Sequence, residues 1–496
     1  MVDAEALAYM RERAPAGPLI ERLANQSARH FPDQAMQNPR PFSARFIASF
    51  FATGLLLLVI LGAVTNIIRK QNTGSNAAAA GPLRVNPANP RYFTDGTGKA
   101  VYLTGSHTWT NLQDRNGVIS DYTAYLAFMR QRHHTFMRMW MNENGINTDT
   151  HDPMPWARDS SGKYNLTQLN QAYFDRMRSR IIEAGNKGIY VSVMLFNGWS
   201  LYDHSYGNPW PVHPFNINNN VNNINGDPNN DNSGAETHTL ALPEILAIQR
   251  DYVHKVIDTV NDLDNVLYEI ANEDTPASYD WQYEMIHAIK DYEAAKPKQH
   301  PVGMTSIEPW SSPSNTKLLD SPADWISPAT AGGMNYESDP TAADGRKVII
   351  VDTDHVFGMG GNRDWIWKNF LRGNNPIFMD DEVDNWSGSE RNDARIAMGY
   401  TASYAQRMNL NAMAPQGNLS STSYALANSG AEYLIYQPAA GAFTVTLAPG
   451  TYEVEWFNPA TGQPQSAGTV NGPGDQSFTP PFTGDAVLYL KSSRNH

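Results

Sequence analysis

From Leu83 onward, short apolar segments alternate with longer amphipathic segments along most of the chain. The apolar segments predict eight strands, at 100–104, 135–141, 188–196, 265–271, 301–305, 325–327, 347–351 and 376–379. Most of the intervening segments have helical periodicity, as at 121–131, 166–184, 242–263 and 279–295. Strands that alternate with helices are typical of a parallel sheet covered by helices. The pattern therefore predicts an α/β fold, a (β/α)8 TIM barrel over residues 83–415.

After a predicted helix at 393–408, the pattern changes to short strands separated by Gly and Pro. These strands are predicted at 432–436, 443–447, 452–456 and 486–490. Short alternating strands with turn residues between them are typical of a small β-sandwich. We therefore expect a C-terminal β-sandwich domain over residues 416–496.

The first part of the chain has a different character. Residues 1–45 are polar and mixed in charge, and they predict a tail without a core. Residues 46–68 carry no charge, and as a helix they would span roughly 34 Å, enough for a hydrocarbon core of about 30 Å. We expect one transmembrane helix over 46–68, followed by a linker over 69–82.

Composition narrows the classes of function. The formal net charge of −13 argues against nucleic acid as a partner. The chain has no Cys, which excludes disulfides, thiol nucleophiles and Cys-ligated zinc. The 12 Trp and 23 Tyr residues suit a protein that packs sugar rings on aromatic faces, but they also suit a large core.

The segment Val266-Leu-Tyr-Glu-Ile-Ala-Asn-Glu273 has the apolar body of a buried strand and ends in the polar pair Asn272-Glu273. In a barrel, the carboxyl ends of the strands form the catalytic face. A second interpretation is an N-cap for the helix that begins near Thr275. The segment resembles the strand-four signature of the clan A glycoside hydrolases. That resemblance implies that Glu273 protonates the glycosidic oxygen and that Asn272 holds the sugar 2-hydroxyl.

Glycosidic hydrolysis of this kind needs a second carboxylate. Predicted strand seven ends in Asp352-Thr-Asp354, and alternation along a strand points both Asp side chains to one side. We expect Asp352 to be the nucleophile, with Asp354 as second choice and Glu382, after strand eight, as third. Relatives in the clan have Glu at the strand-seven position, so the shorter Asp departs from their pattern. A longer separation would make the mechanism inverting, and a cation site or helix cap is the other interpretation of this cluster.

Further candidates lie at the predicted strand ends. Arg138, in Phe136-Met-Arg-Met-Trp140, resembles the strand-two Arg that orients the nucleophile in the clan. The remaining substrate-binding candidates are polar or aromatic residues that follow strands one, two, three and seven: His107, Trp109, Trp140, Asn142, Asn197, Trp199 and His355. Glu143 and His213 lie in the same group of loops.

The C-terminal segments Tyr452-Glu-Val-Glu-Trp-Phe-Asn-Pro459 and Gly484-Asp-Ala-Val-Leu-Tyr-Leu490 resemble a module described as a putative collagen-binding domain of a collagenase. The name implies a binding role, but such modules also support barrel glycosidases by packing, and we expect support here. The sequence has no His-Glu-x-x-His zinc motif, phosphate loop or Gly-x-Ser-x-Gly elbow. We therefore expect no collagenase activity, metal or cofactor.

The sequence as a whole predicts a glycoside hydrolase that acts on a poly- or oligosaccharide by a two-carboxylate, retaining mechanism. The alternative is a non-catalytic surface protein that binds carbohydrate or matrix, since Asp replaces Glu at strand seven. Basic residues flank both ends of 46–68 and do not set its orientation. We expect an anchored barrel outside the cytoplasm, because polysaccharides lie there. The alternative is secretion after cleavage of a long signal peptide within 77–80.

Overall fold

The computed structural model describes residues 81–493, apart from 120, 144–149, 206, 308–313 and 381–390. The predicted tail and the predicted transmembrane helix at 46–68 lie outside the described residues, as does most of the linker. Among the residues that are described, no helix combines the length and the apolar character needed to span a bilayer.

Eight parallel strands form the central sheet, as the alternation of strands and helices predicted. They are β1 (Gly105–His107), β2 (Phe136–Met139), β3 (Tyr190–Asn197), β4 (Val266–Asn272), β5 (Val302–Thr305), β6 (Trp325–Ser327), β7 (Val348–Asp352) and β8 (Asn375–Met379). Their order in the sheet is β1-β8-β7-β6-β5-β4-β3-β2. The N–H groups of Thr135 and Phe136 donate to the carbonyl of Thr104 at 2.8 and 3.2 Å. These bonds bring β2 beside β1, so the sheet is a nearly closed barrel.

Helices connect most consecutive strands. They are α1 (Tyr122–Gln131), α2 (Gln171–Asn186), α3 (Pro243–Val260), α4 (Tyr279–Ala294), α5 (Ser314–Asp320), α6 (Arg363–Leu371) and α7 (Asn392–Arg407). Side-chain oxygens of Asp121, Asn170 and Asn362 accept backbone N–H groups at the starts of α1, α2 and α6, which is why these helices begin there. The connection from β6 to β7, residues 328–347, contains no helix.

Two predicted elements of the barrel differ from the observed ones. The predicted first strand, 100–104, precedes the observed β1; its Leu103 N–H donates to the Asn375 side chain instead of joining a strand ladder. The first residue of β1 is Gly105, where only a glycine fits, since a Cβ would lie 2.1 Å from the carbonyl oxygen of Phe136. The predicted helix at 166–184 is shorter at its start, because Tyr164–Leu169 pairs as a strand with Trp156–Arg158.

The amino ends of the barrel strands enclose an apolar plug. Its buried members share one cluster, formed by Leu83, Phe93, Leu103, Phe136, Leu267, Trp325, Val348, Ile350 and Ile377. Gly303 makes room for the largest of them, since a Cβ there would lie 1.9 Å from the Trp325 ring. Because the plug fills the amino ends of the strands, polar side chains gather at their carboxyl ends.

The C-terminal domain is one six-stranded antiparallel sheet where a β-sandwich was expected, because the 16-residue strand Phe443–Asn458 pairs on both sides and keeps all strands in one sheet. Its strands are β9 (Ala414–Pro415), β10 (Ala425–Asn428), β11 (Glu432–Gln437), β12 (Phe443–Asn458), β13 (Gln463–Phe478) and β14 (Ala486–Ser492), in the order β9-β10-β11-β14-β12-β13. The predicted strands at 443–447 and 452–456 are two halves of β12. An irregularity between Leu447 and Gly450 shifts the alternation, so both halves bury side chains in one core.

This sheet packs directly on the barrel helices. Trp367 of α6 contacts the rings of Tyr436 and Phe457 at centroid distances of 6.1 and 5.9 Å. Arg363 donates twice to Asp485, at 2.9 and 3.0 Å. Aromatic packing and a two-point ion pair therefore join the barrel and the C-terminal sheet.

Candidate active site

The predicted acidic residues follow β4 and β7 at the carboxyl rim of the barrel. Asn272 is the last residue of β4 and pairs in register with Asn197 of β3. Glu273 follows it and is half-buried. Its backbone has a φ of +46°, in the left-handed region that residues with a side chain rarely adopt. Asp352 ends β7, and Asp354 lies in the short helical turn that follows.

Arg138 of β2 joins β4 to β7 inside the barrel. Its side chain is 1% exposed and donates to the carboxylate of Glu269 at 2.9 and 2.5 Å. The same guanidinium donates to Asp352 Oδ2 and to Asn272 Oδ1, each at 2.7 Å. A buried charge needs such partners, and the planar fork of arginine suits several carboxyl and amide oxygens at once. Arg138 therefore fixes the positions of Asp352 and Asn272 relative to each other.

His107 holds the other side of Asp352. The indole N–H of Trp140 donates to His107 Nδ1 at 2.9 Å, so Nδ1 is an acceptor and the proton lies on Nε2. Nε2 donates to Asp352 Oδ1 at 2.9 Å, and the Asp354 N–H donates to the same oxygen at 3.0 Å. Burial alone would raise the pKa of Asp352, but His107 and Arg138 hold it below its usual range. Asp352 is thus a fully buried carboxylate with both oxygens engaged.

Asp354 differs from Asp352 in exposure and in contacts. Its side chain is 11% exposed, and its Oδ2 lies 3.5 Å from Arg138. Among the described residues this oxygen has no hydrogen-bond partner. Burial and the neighbouring charge of Asp352 raise the pKa of Asp354 to about 6. Asp354 is therefore a carboxyl group that changes protonation near neutral pH.

His355 supports Asn272. Its Nε2 donates to Asn272 Oδ1 at 3.1 Å, and the Ser327 hydroxyl donates to its Nδ1 at 2.8 Å. Burial, and then the charge of Arg138, lower the pKa of His355 to about 3, so the ring is neutral. Two donors, His355 and Arg138, hold the oxygen of Asn272 and turn its amide nitrogen away from them.

A second polar cluster lies below the loops that follow β2, β3 and β4, and we call Glu143, His213, His238 and Asp274 the buried His–acid cluster. All four are buried. His238 Nδ1 donates to Asp274 Oδ2 at 2.8 Å, and His213 Nε2 lies 3.7 Å from Glu143 Oε1. The Asn197 N–H donates to Glu143 Oε2 at 3.1 Å. Within the described part of the chain, no group of three or more His, Asp or Glu side chains has the geometry of a metal site.

The predicted aromatic residues have varied positions. Trp140 is only 3% exposed and packs between Arg138, 4.9 Å from its ring centroid, and His107. The backbone carbonyl of Trp109 accepts from the Asn142 amide at 3.1 Å. Trp199 is stacked on His204 at 4.4 Å. Through these contacts Trp140 supports the network of charged side chains around Arg138. Glu382, the third candidate for the second carboxylate, lies outside the described residues.

Sequence reasoning missed Glu269, His238 and Asp274. The sequence does carry a signal for Glu269. A carboxylate within an apolar strand needs a buried cation as its partner, and Arg138 of β2 is that cation. His238 carries no comparable signal, since it lies in a loop far from Asp274 along the chain.

Residues 412–491 match the sequence model of a family described as "Putative collagen-binding domain of a collagenase". No curated protein matches the chain at a significant level. Three solved structures share the architecture. A glycoside hydrolase has a TM-score of 0.55 at 12% identity, with 84% of this chain and 98% of that chain covered. A glycoside hydrolase of family 5 from Bacteroides vulgatus has a TM-score of 0.55 at 13% identity, with coverages of 83% and 94%.

The third structure, described as a putative glycoside hydrolase from Bacteroides vulgatus, has a TM-score of 0.54 at 12% identity, with 85% of this chain and 83% of that chain covered. Identities this low show the fold alone. The chain therefore shares the barrel fold of these three solved glycoside hydrolase structures, one of which is of family 5. Its C-terminal domain is similar to the collagenase module.

Proposed function

We propose that the chain is a glycoside hydrolase that cleaves a poly- or oligosaccharide, with Glu273 as general acid and then base. One observation carries the proposal. Arg138 binds both Asp352 of β7 and Asn272, the neighbour of Glu273, so acidic residues that follow β4 and β7 share one rim. A two-carboxylate mechanism needs acidic groups on opposite sides of the anomeric carbon, and these strands lie on different sides of the barrel.

The contacts favour Asp354 as the second carboxylate. Asp352 was the first choice from sequence, but its oxygens accept from His107, Arg138 and the Asp354 N–H, and it is fully buried. The Asp354 side chain is 11% exposed, and its buried Oδ2 has no hydrogen-bond partner among the described residues. In this proposal the Asp354 carboxylate contacts the anomeric carbon of the sugar, and Asp352 orients Arg138 and His107. Asp352 as nucleophile stays the alternative.

The proposed chemistry follows from these positions. The carboxylate of Asp354 attacks the anomeric carbon while Glu273 gives its proton to the departing glycosidic oxygen. Glu273 then takes a proton from water, and the water oxygen displaces Asp354 from the sugar. The Asn272 amide nitrogen, turned away from Arg138 and His355, is available to a sugar hydroxyl beside the reacting carbon.

The test is Glu273→Gln assayed on a panel of aryl glycosides. The variant keeps the shape of the side chain and removes the proton that it transfers. We expect kcat/KM to fall by about 10²–10⁴-fold on substrates with poor leaving groups. Glu244→Gln, an exposed change on α3, is the matched control and should retain full activity. Unchanged turnover in Glu273→Gln would end the catalytic proposal.

A second candidate function is binding of carbohydrate or matrix without turnover. The observation in its favour is the complete burial of Asp352, the residue at the strand-seven position of the nucleophile. The match of residues 412–491 to a family named for collagen binding supports the same alternative. A glycan array followed by product analysis separates the two, because bound glycan recovered intact would favour this second function.

We also propose that the barrel is held outside the cytoplasm by residues 46–68. The support for this is the absence of charge in that segment and its sufficient length for a bilayer. Fractionation of cells that express the full chain, with protease applied from outside, tests both points. Release into the medium of a protein that lacks the residues before the 77–80 segment would instead favour cleavage of a signal peptide.

A further inference from the structure

Glu273 has a backbone that is held on both sides. Its φ of +46° is unusual for a residue with a side chain, and it sets the direction in which the carboxyl leaves the end of β4. On the amino side, Asn272 is fixed by Arg138 and His355. The Tyr202 hydroxyl donates to the carbonyl oxygen of Glu273 itself at 3.1 Å.

On the carboxyl side, Asp274 is fixed by its own side chain. Asp274 is fully buried, its Oδ1 accepts the Thr275 N–H at 2.7 Å, and its Oδ2 accepts from His238 at 2.8 Å. Gly198 lies against its backbone, where a Cβ would be 2.4 Å from the Asp274 Cα. Asp274 therefore has little freedom to move or rotate.

His238 is itself rigidly placed. Its ring is stacked on Trp281 of α4 at a centroid distance of 4.1 Å and an interplanar angle of 7°. The edge of Phe196 of β3 contacts it at 5.5 Å, and Gln249 of α3 accepts the Trp281 indole N–H at 2.9 Å. Burial alone would lower the pKa of His238, but the charge of Asp274 more than offsets this and raises it.

We infer that Asp274 and His238 are positioning residues that hold Glu273 in its left-handed backbone conformation and so aim its carboxyl at the leaving group. The inference rests on the proposed function. The Asp274 carboxylate is held by His238 and by the backbone N–H of Thr275, two residues after Glu273, so its role is to fix the chain. A buried Asp is tolerated here only with a paired imidazole, which explains why both residues are needed.

The test compares two substrates in Asp274→Asn and in His238→Gln. One is an aryl glycoside whose leaving group needs protonation, and the other is a dinitrophenyl glycoside that departs without it. If the Glu273 carboxyl no longer points at the leaving group, kcat/KM should fall by about 10–10²-fold on the first substrate. On the second substrate kcat/KM should fall by less than about 3-fold. On the dinitrophenyl substrate kcat, unlike kcat/KM, should fall, because hydrolysis of the glycosyl-enzyme still needs Glu273 as base. Azide should restore this kcat, because it attacks the intermediate without help from a base.

Glu293→Gln is the matched control. Glu293 accepts from His300 at 2.8 Å in a second buried His–carboxylate pair, which lies before β5 at the opposite end of the barrel. This variant should lose stability without any dependence of activity on the leaving group. It therefore separates positioning of Glu273 from a general loss of packing.

The outcomes are distinct. Equal losses on both substrates, or no loss, in Asp274→Asn and His238→Gln would overturn the inference. Glu273→Gln without effect on either substrate would instead refute the proposed function, and the inference with it. If Asp274→Asn does not fold, as judged by its thermal transition, His238→Gln carries the same comparison.

Discussion

Trp140 donates its indole N–H to His107 Nδ1, and this single hydrogen bond decides which atom of His107 faces Asp352. Because Trp can only donate, His107 must keep its proton on Nε2, which it gives to the Asp352 carboxylate. Trp140, first expected to be a platform for sugar, therefore acts through the imidazole on the buried carboxylate. The Trp140 ring thus acts on the buried Asp352 carboxylate through one intermediate residue, His107.

Trp140→Phe should remove this control. The phenyl ring keeps the packing on Arg138 but leaves His107 Nδ1 without its donor, and we expect a loss of about 1–3 kcal/mol in the free energy of unfolding. We also expect kcat/KM to fall at least several-fold. Trp325→Phe is the control, because its indole N–H has no partner among the described residues and only ring volume is lost. Equal loss of activity in both variants would contradict the prediction.

Asp354→Asn should increase stability at high pH. The pKa of Asp354 is raised from 3.8 to about 6, so the folded protein binds this proton more tightly than the unfolded chain does. The free energy of unfolding therefore falls as pH rises from about 4 to about 6, by on the order of 3 kcal/mol. The Asn variant avoids this loss, and its thermal midpoint should exceed that of the wild type at pH 8 but not at pH 4.

The same variant should be inactive if Asp354 meets the sugar. Activity of the wild type should then rise with pH through about 6, as Asp354 becomes a carboxylate. A variant that loses activity but gains stability is expected where the native structure holds a catalytic group in an environment that lowers the free energy of unfolding. Full activity in Asp354→Asn would return the role to Asp352 or Glu382.

Glu269→Gln should be strongly destabilising. The change leaves Arg138, fully buried, with one fewer charged partner, and breaking a buried pair of this kind costs about 3–5 kcal/mol. Glu455→Gln provides the contrast, because its two hydrogen bonds to Arg407 are partly exposed and should contribute no more than about 1 kcal/mol. Denaturant unfolding of both variants measures the difference, and equal costs would argue against the network.

Trp367→Ala should destabilise the barrel and the C-terminal sheet together. Trp367 is fully buried and packs on Tyr436 and Phe457, so removing its ring should cost about 3–5 kcal/mol. Calorimetry of residues 81–493 should show one transition in the wild type. Two well-separated transitions in the wild type would show that the C-terminal sheet folds independently of the barrel.

The periodicity of the sequence predicted seven of the eight barrel strands within a residue or two. It misplaced the first, because the run at 100–104 precedes the barrel ladder: Val101 bridges Phe93, Leu103 lies in the plug, and β1 begins only at Gly105. The strand β13 was not predicted at all. Its residues are mostly exposed and rich in Gly, so the strand depends on pairing with β12 and not on its own apolar pattern.

The candidate site could be predicted only as a set of residue types at strand ends. The choice between Asp352 and Asp354 depends on which oxygen His107 and Arg138 occupy, and these residues are more than 200 positions away along the chain. The partnership of Asp274 with His238 depends in the same way on how a loop folds over β4. Local patterns do not report such long-range pairings.

The outer edge of β13 affects whether copies of the molecule associate. This strand is the last in its sheet and presents a long, exposed row of backbone groups, the kind of border to which a strand from another copy adds. Pro464 and Pro473 interrupt that row, since neither has an N–H to offer. Concentrated solutions should therefore resist fibre formation along this border, and replacing both prolines would make the protein more prone to aggregate.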